Sequence, residues 1–107
     1  MSTASKSEIL KLVEMVSYQD AAVVSRQITK AEAGNVTLFA FDKDQGLSEH
    51  TAPFDALAHI LEGEAQITIS GKTFDLKTGD AIIMLANEPH ALKAAQKFKM
   101  LLTMIRA

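Results

Sequence analysis

From Val23 to Ile105, apolar and polar residues fall in short, mostly alternating runs broken by turn signals. Strands with one side in a core and the other in water produce this pattern. Val23, Val24 and Ile28 mark a first strand, and Val36 to Phe41 a second, after the turn signal Gly34-Asn35. Gly46 and Pro53 bracket a loop that holds His50, or the start of a strand there. Leu57 to Leu61 reads as a strand ending at a turn, Glu62-Gly63-Glu64. Ala65, Ile67 and Ile69 then alternate with Gln66, Thr68 and Ser70, a strand with one wet face. Ser70-Gly71-Lys72 makes a tight hairpin into Thr73 to Leu76, and Lys77 to Asp80 turns again before Ala81 to Met84, a short buried strand. Asn87-Glu88-Pro89 turns the chain once more, His90 opens Ala91 to Ala95, and Phe98 to Ile105 is apolar on both faces. Roughly eight strands with a turn every 8–12 residues predict an all-β sandwich or barrel.

Only the first segment reads as helix. Ser5 followed by Glu8 has the spacing of a capping box, and Ile9, Leu10, Leu12, Val13 and Val16 make a rough apolar face. At about one to three turns it is marginal alone and must pack on something. The chain therefore divides into an N-terminal helical segment over residues 1–20 and a barrel over 21–107.

Composition narrows the function classes. At 107 residues, 48% hydrophobic and 22% charged, the chain is one folded domain. Eleven basic against thirteen acidic residues, a net charge of −2, give no attraction for nucleic acid. The absence of Cys removes disulfides, thiolate metal sites and thiol nucleophiles. No apolar run reaches the roughly 20 residues of a membrane span, and Met1 to Lys11 lacks a signal peptide's apolar centre. A cytoplasmic protein with no membrane partner is expected. Gly63 and Gly71 open no helix, so neither belongs to a phosphate loop. Lys93, Lys97, Lys99 and Arg106 read as a solvated face.

Three His residues are the whole supply of neutral-pH proton shuttles and imidazole ligands. The stretch from Leu47 through His50 to Ala56, followed by Ile60-Leu61-Glu62-Gly63-Glu64, resembles the first motif of the cupin superfamily. Gly79-Asp80 through Pro89-His90 resembles the second, and the likeness runs from about Val36 to Ile105. The resemblance implies a single-domain jelly-roll barrel (double-stranded β-helix), and cupins usually hold a divalent metal with three His and one Glu. Aligned on Gly63, His50 takes the first His position, but Ala52 and Ala56 stand where the second His and the Glu are expected. His90 matches the His of the second motif, while the Pro, Gly and Asn usual around it are Leu85, Asn87 and Ala94.

Half the ligand set thus survives. The expectation is a small-molecule-binding cupin with a degenerate or weak metal site, able to hold iron, manganese, nickel or zinc only weakly. His50, His90, Ala52, Ala56 and Met84 line its pocket, with His50 and His90 as the remaining metal ligands. The alternative is a metal-dependent dioxygenase, isomerase or decarboxylase acting on a small organic acid or carbonyl compound, with Asp55 or Glu49 as a replacement carboxylate. Strand alternation places Ala56, Ala58 and Ile60 in the lumen and His59 outside it. Phe39, Phe41, Phe54, Phe74 and Phe98, with Met84, Met100 and Met104, are most simply core. Strands apolar on both faces leave outward apolar residues in need of a partner, so a homodimer is expected.

Overall fold

The computed structural model describes residues 6–106, so Ser5 and its capping box lie outside the described residues. Eight strands follow one another: β1 (Val23–Ala31), β2 (Gly34–Phe41), β3 (Gly46–His50), β4 (Phe54–Ile69), β5 (Lys72–Lys77), β6 (Ala81–Met84), β7 (His90–Lys93) and β8 (Phe98–Arg106). All pairings are antiparallel, and they build two sheets. The first has the order β1-β2-β8-β4-β6 and the second β5-β4-β7-β3. Strand β4 is central in both, and its bend turns two sheets into one barrel.

That bend corrects the turn expected at Glu62-Gly63-Glu64. The ladder continues through it, with Glu62 opposite Lys99, Gly63 opposite Phe98 and Glu64 opposite Lys77. A bulge at Leu61 adds one residue to β4 just before the corner, which sharpens the local bend. Gly63 has φ +91°, and a Cβ there would stand 2.0 Å from the Lys97 carbonyl oxygen, so only glycine fits. The Thr78 hydroxyl accepts from the Gly63 N–H at 3.1 Å and closes the corner. The hairpin at Ser70-Gly71 forms as its sequence predicts, with both residues at positive φ.

Alternation sorts the side chains into two cores. Phe41, Ala58, Ile60, Ile67, Phe98 and Met100 are fully buried in the barrel, where the Phe41 and Phe98 rings stack at 4.4 Å. On the outer face of the first sheet, Ile28, Leu38 and Ala40 form a second cluster, covered by Leu10, Leu12, Met15, Val16 and Tyr18.

This cover is a strap rather than the expected helix. Its helical content is a single 3-10 turn, Leu12–Glu14. Ser7 has φ 60° and Lys11 has φ −99°, ψ 87°, both outside helical geometry. The apolar residues gain more by spreading over the sheet than by sharing one short helical face. The strap is pinned at its end: the Tyr18 hydroxyl donates to Glu62 Oε2 at 2.6 Å, and Lys99 Nζ donates to the Val13 carbonyl at 2.6 Å. Lys97 and Lys99 place their ammonium groups 5.0 and 5.1 Å from the centre of the Tyr18 ring. Burial first, and then the Glu62 carboxylate, push the Tyr18 hydroxyl well above its ordinary pKa.

Strand β6, read from sequence as a short buried strand, is buried on one side only. Met84 is buried but Ile83 points into water, because nothing among the described residues covers the outer face at that place.

Candidate functional site

Both arms of β4 run away from the corner at Gly63, so Phe54 and Ile69 lie at the opposite, open rim of the barrel. His90 pairs with Ile69 on one side and with His50 on the other, which puts both imidazoles at that rim. His90 shares strand parity with the buried Leu92 and therefore faces inward. The segment around His50, read from sequence as a loop or the start of a strand, is the strand β3. A register irregularity between Leu47 and His50 lets both residues pair with the inward-facing series of β7.

The connection before His90 is tightly held. The Asn87 N–H donates to the Ala52 carbonyl and the Ala86 N–H to Asp55 Oδ1, both at 2.8 Å. The Ser70 N–H donates to the Pro89 carbonyl at 2.8 Å, and the Ser70 hydroxyl to Glu88 Oε1 at 2.9 Å. Asn87 adopts the left-handed conformation (φ 66°), which Asn tolerates better than most residues. These bonds fix the backbone from which His90 projects.

The two rings meet edge to face, centroids 4.3 Å apart and planes at 68°. His50 Nδ1 lies 2.8 Å from the Ser48 carbonyl oxygen, and His90 Nδ1 lies 3.2 Å from that of Glu88. A carbonyl oxygen only accepts, so each Nδ1 carries a proton and each neutral ring keeps its lone pair on Nε2. His90 is 7% exposed. Its burial holds the imidazole below its ordinary pKa; the bond to the Glu88 carbonyl works against this, and His50 adds to it.

The remaining sequence-derived positions fall as follows. Ala56 is buried on the inner face, directly opposite Met84, also buried. Ala52 is partly exposed in the link between β3 and β4. Ala56, Ala58 and Ile60 point into the barrel, and His59 points to the other side of β4. Asp55 lies on that outer side as well, its carboxylate taken up by the Ala86 N–H, and Glu49 is exposed. Among the described residues no three His, Asp or Glu side chains come together as a metal-binding group. Two hollows of about 250 and 310 Å³ lie along the strands of the first sheet, and neither is lined by His50 or His90.

The backbone carbonyls of Ser48 and Glu88, which set both tautomers, carry no side-chain signature and were not foreseeable from sequence. The recurring His-x-carbonyl spacing, each Nδ1 reaching back two residues, is the one hint.

Comparison with known proteins matches residues 37–106 to the cupin domain. A conserved protein of unknown function from Streptococcus pyogenes is 34% identical, with TM-score 0.91 over 100% of this chain and 96% of its own. A cupin superfamily protein from Desulfitobacterium hafniense is 26% identical, with TM-score 0.91 over 99% and 97% of the two chains. A cupin 2 conserved barrel domain protein from Leptotrichia buccalis is 36% identical, with TM-score 0.88 over 91% of this chain and 47% of its own. No curated protein matches significantly.

Proposed function

The chain belongs to the cupin domain family, and on that premise we propose that it binds a small organic ligand at the open rim of its barrel. His50 and His90 supply the polar contacts, and Ala52, Ala56 and Met84 line the apolar side. The observation that supports this most is the imidazole pair itself. Both Nδ1–H groups are engaged by backbone carbonyls, which leaves Nε2 as the acceptor on each of two adjacent rings. Such a pair favours a ligand that can share a proton with it, a carboxylic acid or a hydroxyl group, on an apolar body that fits against alanine and methionine.

The donor set does not fit a resident metal. Protein iron and zinc centres generally use at least three side-chain ligands, and here Ala52 and Ala56 occupy the other family positions while Asp55 faces away. A divalent ion on two imidazoles and water would be held weakly and would compete with the ligand for the same Nε2 atoms.

Titration with a set of small carboxylic and hydroxy acids, followed by backbone amide NMR, tests the reading. Shifts should cluster on residues 50, 52, 56, 84 and 90. His50→Ala and His90→Ala should each weaken binding about tenfold, the loss of one good hydrogen bond, with little change in melting temperature. If both variants instead fail to fold, the imidazoles are structural and the proposal fails.

A further inference from the structure

The inward-facing positions of β4 and β8 run from core to mouth in matched rows. Ile60 lies opposite Met100, Ala58 opposite Leu102, Ala56 opposite Met104, and Phe54 opposite Arg106. Burial falls along the way: Ile60, Ala58 and Met100 are fully enclosed, Met104 is half-buried and Arg106 is exposed. Arg106 therefore stands at the rim on the inner side, one row above Ala56, which also pairs with Met84. Two residues along a strand span about 7 Å, a distance that an extended arginine side chain covers. Across the mouth, Lys72, Ile69, His90 and His50 form one cross-strand row of the second sheet.

Given ligand binding at this rim, on which the inference rests, we propose that Arg106 anchors a carboxylate of the ligand whose other end meets the imidazole pair, so that the ligand is a hydroxy acid. An Nε2 lone pair needs a donor. A carboxylic acid near neutral pH has lost its proton, whereas a hydroxyl keeps it. The imidazoles therefore suit the hydroxyl, and the carboxylate needs a cation elsewhere at the mouth.

Arg106 is prepared for that task. Its guanidinium lies over the Phe54 ring, 5.0 Å from the ring centre, and its Nε–H donates to the Glu32 carbonyl at 3.4 Å. These contacts hold the side chain and use one of its five N–H donors, which leaves both terminal NH2 groups for a planar anion. A guanidinium already ordered by a ring and a carbonyl loses little freedom on binding. Among the described residues no carboxylate neutralises it: the ion pair there joins Lys99 to Glu62, Asp55 receives the Ala86 N–H, and Glu88 receives the Ser70 hydroxyl. Lys72 also stands on the inward series at the rim, but its ammonium sits over Phe74 and offers no planar fork.

Amide-detected NMR titration of the full chain with straight-chain hydroxy acids of increasing length, each beside its carboxamide, tests this. The best acid should shift Phe54 and Arg106 together with His50 and His90, and bind about tenfold tighter than its carboxamide. Arg106→Ala should remove most of that preference while the carboxamide binds unchanged. Arg106→Lys, which keeps the charge but loses the fork, should restore only part of it, and Lys72→Ala should leave it in place. Acid and carboxamide weakened alike by Arg106→Ala would make Arg106 a structural residue and overturn the anchor. An acid preference that survives Arg106→Ala, or that falls equally in Lys72→Ala, would also overturn the anchor while leaving binding at the imidazoles intact. Acids that shift none of His50, Ala52, Ala56, Met84 and His90 would overturn the binding site itself, and the anchor with it.

Discussion

Gly63 and Gly71 offer a matched pair of perturbations, because their backbones are alike and their surroundings are not. Both sit at positive φ, +91° and +84°. Replacing either with Ala imposes the left-handed penalty of about 1–2 kcal/mol, partly offset by about 0.4–1 kcal/mol from a stiffer unfolded chain. At Gly71 nothing lies within 4 Å of the new Cβ, and the cost ends there. At Gly63 the new Cβ would meet the Lys97 carbonyl oxygen at 2.0 Å and Phe98 Cα at 2.7 Å, both backbone atoms. Relief requires the start of β8 to move away from β4, which breaks the pairing of Gly63 with Phe98 and disturbs the stack on Phe41. Two lost ladder bonds and a loosened aromatic contact add about 2–4 kcal/mol, a large share of a domain stability of about 5–15 kcal/mol. Calorimetric melts should therefore show Gly71→Ala down by roughly 4–8 °C, and Gly63→Ala down by about three times as much or not folded at all. Equal shifts for the two variants would refute the corner as the element that joins the sheets.

The Tyr18 latch should be measurable through the strap it holds. Tyr18→Phe removes the 2.6 Å bond to Glu62 and should cost about 1–2 kcal/mol, read in urea melts and as faster proteolysis before residue 20. His90 should give an acid-side loss of stability. Its folded pKa lies below the ordinary 6.5, so between those values the unfolded chain binds the extra proton; stability is complete above about pH 6.5 and falls as pH drops toward the folded value. His90→Gln should flatten that step in pH-dependent melts, and an unchanged profile would assign the step to another group.

Local signals were legible wherever neighbours in sequence decide the outcome. Ser70-Gly71 announced its hairpin, and the alternation from Ala65 to Ile69 announced its wet face. Gly63 gave the same kind of signal and was misleading, since a positive-φ glycine serves a turn and a strand corner equally. Only its register with Phe98, far along the chain, separates the two. The apolar spacing from Ile9 to Val16 suited a helix, but the sheet face beneath the strap and the bond from Tyr18 to Glu62, 44 residues away, are tertiary facts that no local pattern contains. At the site, motif alignment picked out His50 and His90, which pair across neighbouring strands. It left Asp55 open as a ligand, and the outer side of β4 together with the Ala86 N–H decides against it. The apolar run from Ala81 to Met84 did announce outward apolar residues, and Ile83 is one of them; what local sequence does not carry is whether the N-terminal strap reaches that far.

The central claim is that two imidazoles present bare Nε2 atoms to a ligand at the rim. Long-range proton–nitrogen NMR on imidazole-labelled protein reads this directly. At pH 8, His50 and His90 should each show a protonated, pyrrole-like Nδ1 and a pyridine-like Nε2, and the Nε2 resonances should move when a small carboxylic acid is titrated in. Protonated Nε2 atoms in the free protein, or Nε2 resonances that stay still while the acid binds elsewhere, would contradict it.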